Sequence, residues 1–188
     1  MQSTKTMSRE EWLAERRKGI GGSDAAAILG MNPYRSPLAV YMDKLGLAPE
    51  IPDNEAIRQG RDLEQYVADR FCEATGKKVR RVNRILQHPE YPWMLANIDR
   101  DVVGEDAGLE CKTTSPYNKT PFDQGDVPAP YYWQCQHYMA VTGAKSWYLA
   151  ILVHGKAFHT FEISRNDEHI NFLIEKCRSF WFDNVLAG

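Results

Sequence analysis

The sequence lacks the features that mark membrane proteins, thiolate-bound metal sites and zinc hydrolases. None of its apolar runs approaches the ~18 residues that cross a membrane, and its polar start, MQSTKTMSREE, differs from a secretory signal, so we expect a cytoplasmic protein. Its four cysteines are widely spaced without a C-x-x-C pair, which argues against a zinc knuckle or an iron–sulfur cluster. Its five histidines form no H-E-x-x-H motif.

The charge and composition of the chain leave its partners open. A net charge of −2 argues against a polycation that binds nucleic acid without specificity. A DNA enzyme can nevertheless concentrate positive charge on one face and keep its acids for metal, so composition neither requires nor excludes nucleic acid. With 43% hydrophobic and 26% charged residues, the composition is ordinary for a folded protein, and we expect residues 1–188 to form a single domain.

Residues 93–114 are the stretch around which the chain is organised, because they predict two strands joined by a polar turn at residues 104–108. Side chains alternate along a strand, so Glu110 and Lys112 share one face, and the hairpin brings Asp99 towards them. Two carboxylates suit a hard cation such as Mg²⁺. A lysine beside them can orient or help to deprotonate water, or stabilise charge on a phosphate. Taken alone, these residues also fit an exposed charged hairpin.

A glycine-rich turn near the start of the chain predicts an anion site. A helix over residues 8–18 is indicated by a capping box of Ser8 and Glu11, and its last turn is basic. The segment GIGGSD, residues 19–24, then leads into a short helix over residues 25–29. Backbone N–H groups at such a turn can bind a DNA phosphate. The alternative is a flexible connection between two helices with an ordinary serine cap.

Two further helices are predicted over residues 36–46 and 54–75. The longer helix is stopped by Gly76, and its apolar stripe recurs at three- and four-residue steps, with Leu63, Val67, Phe71 and Ala74 as its members. Glu64 lies beside this stripe, one turn after Gly60, whose missing side chain lets another backbone or a substrate come close. A lone helix glutamate is usually a solvated charge, so Glu64 is a candidate third carboxylate only in the context of the central hairpin.

Two segments allow both a structural and a functional interpretation. Residues 77–84, KKVRRVNR, carry five basic groups and lead into a predicted strand. They form either a solvated edge strand or a strip that contacts a nucleic-acid backbone. Residues 115–130 form a loop rich in proline and aromatic residues, with Lys119 as its basic group. This loop either contacts substrate or is merely a connection.

The last third of the chain predicts a helix over residues 130–142, a β-hairpin over residues 147–154 and 157–164, and a closing helix over residues 166–186. Gln134 and Tyr138 are four residues apart and share a helix face. The apolar stripe of the closing helix contains Ile170, Leu173, Ile174, Cys177 and Trp181. The complete order of elements predicts a mixed α/β sheet flanked by helices.

In this order, the elements and motifs resemble those of the lambda exonuclease and YqaJ-like viral recombinase family of PD-(D/E)xK nucleases. The resemblance covers most of the chain, from about Trp12 to the closing helix. Its local matches are Trp12, Arg17, Gly19, Ser23, Gly60, Glu64, Ile98-Asp99 in place of Pro-Asp, Leu109-Glu110-Cys111-Lys112, and Gln134-x-x-x-Tyr138. It implies a restriction-endonuclease-like core, with a central mixed β-sheet flanked by helices, in one PD-(D/E)xK nuclease domain.

The same resemblance assigns roles to individual residues. The implied catalytic residues are Asp99, Glu110, Lys112, Glu64 and Gln134. The implied ligands of Mg²⁺, for which Mn²⁺ can substitute, are Asp99, Glu110, Glu64 and the backbone carbonyl of Cys111. The residues implied in binding DNA or its terminal phosphate are Arg17, Ser23, Arg61, Lys119 and Tyr138. Two residues depart from the pattern: Arg100 stands where family members often have glycine, and Asp101 could compete with Asp99 for the metal.

The function implied by the resemblance is Mg²⁺-dependent digestion of linear duplex DNA from a 5′ end, which leaves 3′ single strands for phage-type recombination. The implied assembly is a homotrimeric ring that binds DNA ends and works with a single-strand annealing protein, in a bacterial host and encoded by a phage or prophage. Two alternatives are an endonuclease of the same fold and a DNA-end-binding recombination factor with a degenerate site. A hydrolase of other phosphodiesters is a more remote one.

Overall fold

The computed structural model describes residues 4–49, 54–117 and 125–188, which fold into α-helices, a five-stranded sheet and a two-stranded ribbon. The helices are α1 (Arg9–Arg17), α2 (Gly22–Ile28), α3 (Pro37–Lys44), α4 (Glu55–Thr75), α5 (Ala129–Thr142) and α6 (Asp167–Ser179). The strands are β1 (Val79–Arg81), β2 (Leu86–Gln87), β3 (Leu95–Ala96), β4 (Arg100–Val102), β5 (Ala107–Thr114), β6 (Ser146–Val153) and β7 (Ala157–Ser164).

Local capping chemistry sets most of the helix ends, as the sequence predicts. The side chain of Ser8 accepts the N–H of Glu11, and the Glu11 side chain accepts the N–H of Ser8, which completes the predicted capping box of α1. The side chain of Asn54 likewise accepts a backbone N–H in the first turn of α4. Gly76 ends α4 with a φ of 72°, a left-handed conformation that residues with a Cβ rarely adopt.

The five-stranded sheet has the order β1-β4-β5-β6-β7 and is mixed, which confirms the predicted fold class. β5 and β6 are parallel and joined through α5, whereas the other neighbours are antiparallel. The predicted hairpin over residues 147–164 is β6–β7. The predicted first strand of the central hairpin is broken, because residues 95–96 pair with β2 in the separate ribbon and only residues 100–102 join the main sheet.

Helices cover both faces of the sheet. On one face, α4 contributes Val67, Ala68 and Phe71 to a cluster with Leu109 of β5. Ala74, predicted on the buried stripe of α4, is exposed, and Ala68 takes its place because the stripe shifts around the helix. On the other face, α2, α5 and α6 pack against β6 in a second, larger core.

The closing helix is not one continuous α-helix as predicted. α6 ends at Ser179, and Phe180–Val185 continue as a π-helical turn whose buried residues are Trp181 and Val185. The predicted apolar stripe is otherwise confirmed, since four of its members are buried and Ile174 is partly buried against the core. Across the described residues, no helix combines the length and the apolar character needed to cross a membrane.

Candidate active site

The sheet opens at one edge because β4 is much shorter than β5. β4 pairs with β5 at only two positions, of which Leu109 is the last, and β5 continues to Thr114 without β4 beside it. The chain bends at Asp99, and its Oδ2 accepts a hydrogen bond from the N–H of Cys111 at 2.8 Å. A carboxylate side chain thus replaces the missing strand as the partner of β5.

Glu110 lies next to this opening and is almost completely buried, with 3% of its surface exposed. Its Oε1 accepts two hydrogen bonds, from Nζ of Lys112 at 2.5 Å and from Nε2 of Gln134 at 2.8 Å. Its Oε2 is buried and has no hydrogen-bond partner in the described part of the chain. A buried carboxylate oxygen without a donor is costly, so Oε2 is suited to a ligand that the protein does not itself supply.

Gln134 is held in place by α5 and α2. Its Nε2 also donates to the hydroxyl of Tyr138, one turn later, at 2.7 Å. Gly22 of α2 packs against both side chains so closely that an added Cβ lies 2.7 Å from Tyr138 and 3.1 Å from Gln134. Tyr138, which the family resemblance assigns to DNA binding, is only 4% exposed, and in this structure it supports Gln134 from within the protein.

The charges of the site interact strongly. Burial, followed by the neighbouring carboxylate of Glu110, raises the pKa of Asp99 well above its usual range. Burial works to lower the pKa of Lys112, but the carboxylates of Glu110 and Asp99 outweigh it and raise that pKa. Lys112 is therefore an ammonium ion at neutral pH in the metal-free protein. Its Nζ also lies 5.4 Å from the ring centroid of Tyr131, a contact that the sequence analysis missed.

Cys111 contributes its main chain to the site. Burial, followed by Asp99 and Glu110, raises the pKa of its thiol, so the thiolate form is disfavoured. The N–H and C=O of one strand residue face the same neighbouring strand, and the Cys111 N–H bonds to Asp99. The Cys111 carbonyl therefore faces the open edge beside Asp99, and it stays a candidate metal ligand.

Glu64 on α4 reaches the same edge but is already paired. Its Oε1 accepts from Nη1 of Arg100 at 2.5 Å and lies 3.4 Å from Nη2 of Arg81. The negative charge of Glu64 contributes to the raised pKa of Asp99, though less than burial and Glu110 do. Glu64 thus lies near the carboxylate pair, with one of its oxygens bound to guanidinium groups.

The oxygen atoms at the open edge suit a hard divalent cation as ligands. Asp99 and Glu110 supply carboxylate oxygens, and Oε2 of Glu110 accepts no hydrogen bond from the described residues. The Cys111 carbonyl faces the same edge. Mg²⁺ commonly keeps several waters and uses one or two carboxylates, so this set is sufficient for it. Among the described residues, no group of three or more His, Cys, Asp or Glu side chains is arranged to hold a metal ion.

The predicted phosphate site contains a buried ion network that the sequence analysis missed. Asp24 of α2 is fully buried and pairs with Lys44 at 2.6 Å and with Arg35 at 2.5 Å. Its pKa is lowered, because the attraction of Lys44 and the arginines overcomes the opposing effect of burial. Arg17 lies 3.6 Å from Asp43, whereas Arg16 is the arginine that reaches Ser23 Oγ, at 3.5 Å. No sequence motif marks Asp24, which resembles any acid in a first helical turn.

The other candidate residues lie outside this constellation. Arg61 is exposed on α4, and Lys119 falls outside the described residues. Asp101 forms an ion pair with Arg80 at 3.1 Å. Lys77 of the same basic strip is paired with Glu105 at 2.5 Å. These ion pairs, with that of Arg81, show that at least three cations of the strip neutralise acids of the protein.

Comparison with solved structures first defines the class of fold. An alkaline exonuclease, LHK-Exo from Laribacter hongkongensis, matches with a TM-score of 0.75 over 93% of this chain and 91% of that chain, at 23% sequence identity. A phage-related exonuclease from Haemophilus somnus 129PT matches with a TM-score of 0.71 over 90% of this chain and 95% of that chain, at 13% identity. The chain therefore has the fold of these exonucleases.

Comparison of sequences then gives the family. The model of the YqaJ-like viral recombinase domain matches residues 11–145, and the chain belongs to this family, as its motifs predict. The uncharacterized protein YqaJ of Bacillus subtilis (strain 168) is 48% identical over 185 residues, which are 97% of this chain and 58% of that protein. The chain thus spans little more than half the length of this relative. Protein D345L of African swine fever virus (strain Badajoz 1971 Vero-adapted) is 35% identical over 69 residues, 35% of this chain and 20% of that protein.

Proposed function

We propose that the protein is a Mg²⁺-dependent exodeoxyribonuclease that digests one strand of linear duplex DNA from a 5′ end and leaves 3′ single-stranded overhangs for recombination. The observation that carries the proposal is the buried Oε2 of Glu110, which has no donor among the described residues and lies at the open edge that Asp99 lines. The preference for ends is supported by the exonuclease names of the structural relatives, and the role in recombination by the family. The 5′ polarity rests on the resemblance that the motifs show.

Each residue of the site has a definite task in this function. Asp99, Glu110 and the Cys111 carbonyl would hold Mg²⁺, which when bound polarises the scissile phosphate and lowers the pKa of the attacking water. Gln134 holds Oε1 of Glu110, and Oε2 would then be available to the ion. The ammonium of Lys112 orients water and stabilises charge that develops on the phosphate oxygens. The carboxylates of Glu110 and Asp99 raise the pKa of Lys112 against the effect of burial in the metal-free protein, and the ammonium that they favour is the form that this electrostatic role uses.

Digestion of two DNA substrates tests the proposal. Purified protein is incubated with linear 5′-phosphorylated duplex and with a covalently closed circle, each with Mg²⁺, Mn²⁺ or EDTA. We expect nucleotides to be lost from the linear DNA only, at each end from the strand whose 5′ terminus lies there. This loss should occur with Mg²⁺ or Mn²⁺, and no DNA should be digested in EDTA. Cutting of the closed circle would establish an endonuclease instead. Binding of ends without cleavage would establish a DNA-end-binding factor.

Two matched variants connect the activity to the site. Lys112→Ala removes the ammonium beside Glu110, and we expect the rate to fall by at least ~100-fold while DNA-end binding and folding are largely retained. Lys176→Ala removes an ammonium that lies over Phe172 on α6, and we expect a rate close to that of the unchanged protein. Equal rates for the Lys112→Ala and unchanged proteins would remove the mechanism.

We also propose the assembly and the partners that the family suggests. The protein is a homotrimer that encloses duplex DNA, and it passes its 3′ single strand to a single-strand annealing protein. Its gene belongs to a phage or prophage of a bacterial host. These proposals rest on membership of the YqaJ-like viral recombinase family.

A further inference from the structure

Arg100 is a buried cation at the rim of the site, with only 2% of its surface exposed. Its Nη1 donates to Oε1 of Glu64 at 2.5 Å and to the backbone carbonyl of Asp99 at 2.8 Å. Its Nη2 donates to Oε1 of Gln65 at 3.1 Å. A guanidinium does not lose its proton in proteins, so a permanent positive charge is fixed between α4 and the start of β4.

The contacts of Arg100 limit what Glu64 can do. Oε1 of Glu64 is engaged by Arg100 and is also approached by Arg81. A carboxylate oxygen that accepts from a guanidinium has less electron density to offer a metal ion, and the positive charge beside it repels a cation. Glu64 is nevertheless close enough to Asp99 for its charge to affect that carboxyl.

We propose that Arg100 is a positioning residue that supplies a fixed positive charge in place of a second metal ion, so that the site binds one divalent cation. Glu64 is then the counter-ion of Arg100, and Asp99 and Glu110 provide the carboxylates for the single ion. This inference rests on the proposed metal-dependent function. It gives Glu64 a role different from the ligand role that the family resemblance implies.

Calorimetric titration of Mn²⁺ into the DNA-free protein tests the inference without relying on activity. We expect one bound ion for the unchanged protein. Glu64→Gln leaves the charge of Arg100 without its counter-ion, so we expect it to keep one ion with an affinity up to ~10-fold weaker. Asp99→Asn should weaken binding further, because it removes a ligand as well as a charge. Arg100→Met adds one net negative charge near the site and frees Glu64, so we expect ~10-fold tighter binding of the first ion or a second bound ion.

A double variant and a conservative variant separate positioning from a purely structural role. Glu64→Gln with Arg100→Met removes both charges together, and we expect it to melt near the unchanged protein and to bind one ion with the original affinity. Arg100→Lys keeps a charge beside Glu64 and retains one ion. If Arg100→Met alone fails to fold, the double variant and Glu64→Gln still give the ion count.

The outcomes distinguish this inference from the proposed function. Two ions bound to the unchanged protein, or a loss of at least ~10-fold in affinity in the double variant with Glu64→Gln and Arg100→Met, overturn the inference and leave a metal-dependent nuclease in place. A failure of the unchanged protein to bind Mn²⁺ overturns the inference and the metal-dependent function together. Unchanged affinity and stoichiometry in Arg100→Met also contradict the inference, because the charge of Arg100 then has no effect on the metal.

Discussion

At the scale of single residues, Asp99 is a carboxyl group whose charged form the fold disfavours. Burial and Glu110 raise its pKa, so in the metal-free protein it holds its proton to a higher pH than in the unfolded chain. The native state then binds more protons than the unfolded state between the unfolded pKa of ~4 and the raised folded pKa, and stability falls as the pH rises through that range. Ionised Asp99 is therefore a source of instability at neutral pH.

Asp99→Asn should consequently stabilise the metal-free protein. The amide oxygen that the substitution introduces can still accept from the N–H of Cys111, and the amide carries no charge against Glu110. We expect a higher melting temperature at pH 7–8, by ~2–4 °C for each ~1 kcal/mol gained. The gain should shrink as the pH falls towards ~4, where Asp99 is protonated. Thermal melts in EDTA across this range measure it.

Asp101→Asn is the matched control for this experiment, because Asp101 lies two residues away and pairs with Arg80. We expect it to show no stabilisation at neutral pH. If the two variants melt alike at every pH, the charge of Asp99 is not a source of instability. Metal binding requires the ionised carboxylate, so the affinity of the unchanged protein for Mn²⁺ should rise with pH through the titration of Asp99.

At the scale of elements, the contact between α2 and α5 sets the position of Gln134. Gly22 is the point of closest approach, because an added methyl group falls 2.7 Å from a ring carbon of Tyr138. Gly22→Ala should lower stability by ~1–3 kcal/mol through overpacking. It should also reduce the cleavage rate, since Gln134 moves with Tyr138 and no longer fixes Glu110. Denaturant unfolding and single-turnover cleavage measure the two effects.

Gly60→Ala is the corresponding control on α4. Among the described residues, an added methyl group there comes within 4 Å of Thr113 only, at a van der Waals distance of 3.9 Å from its Oγ1. Packing within the described part of the protein therefore does not require glycine at this position. Helix propensity favours alanine by up to ~1 kcal/mol, and we expect a more stable protein. If DNA comes as close to Gly60 as the sequence suggests, the same variant should bind DNA ends more weakly. Unchanged end binding would show that α4 lies farther from the duplex.

At the scale of the whole molecule, the proposed ring predicts a definite mass in solution. Sedimentation velocity should give about three times the chain mass of 21.5 kDa, independently of DNA. Lys112→Ala should sediment in the same way, because Lys112 contacts residues of its own chain at the site. A monomer over the full concentration range would contradict the ring and would leave the chemistry of the site unaffected.

Local signals in the sequence are enough to place most of the elements and to identify the central charged residues. Capping residues such as Ser8 and Gly76 act on their own helices, and alternation along a strand places Glu110 and Lys112 on one face. Such signals can be recognised without knowledge of the fold, because they involve neighbouring residues only. The order of elements was sufficient to predict the mixed sheet, because short connections and parallel crossovers restrict the possible topologies.

Which of these residues meet, and in what protonation state, depends on the packed fold. β4 starts only at Arg100, opposite Leu109, and this leaves the main chain of Cys111 without β4 beside it. The packing of α5 brings Gln134 to Glu110, and Arg100 pairs with Glu64 across 36 positions of sequence. Periodicity does not carry this information, because pairing between distant charges depends on the packing of whole elements. Burial likewise raises the pKa of Asp99 and keeps the Cys111 thiol neutral, and burial is a property of the assembled fold.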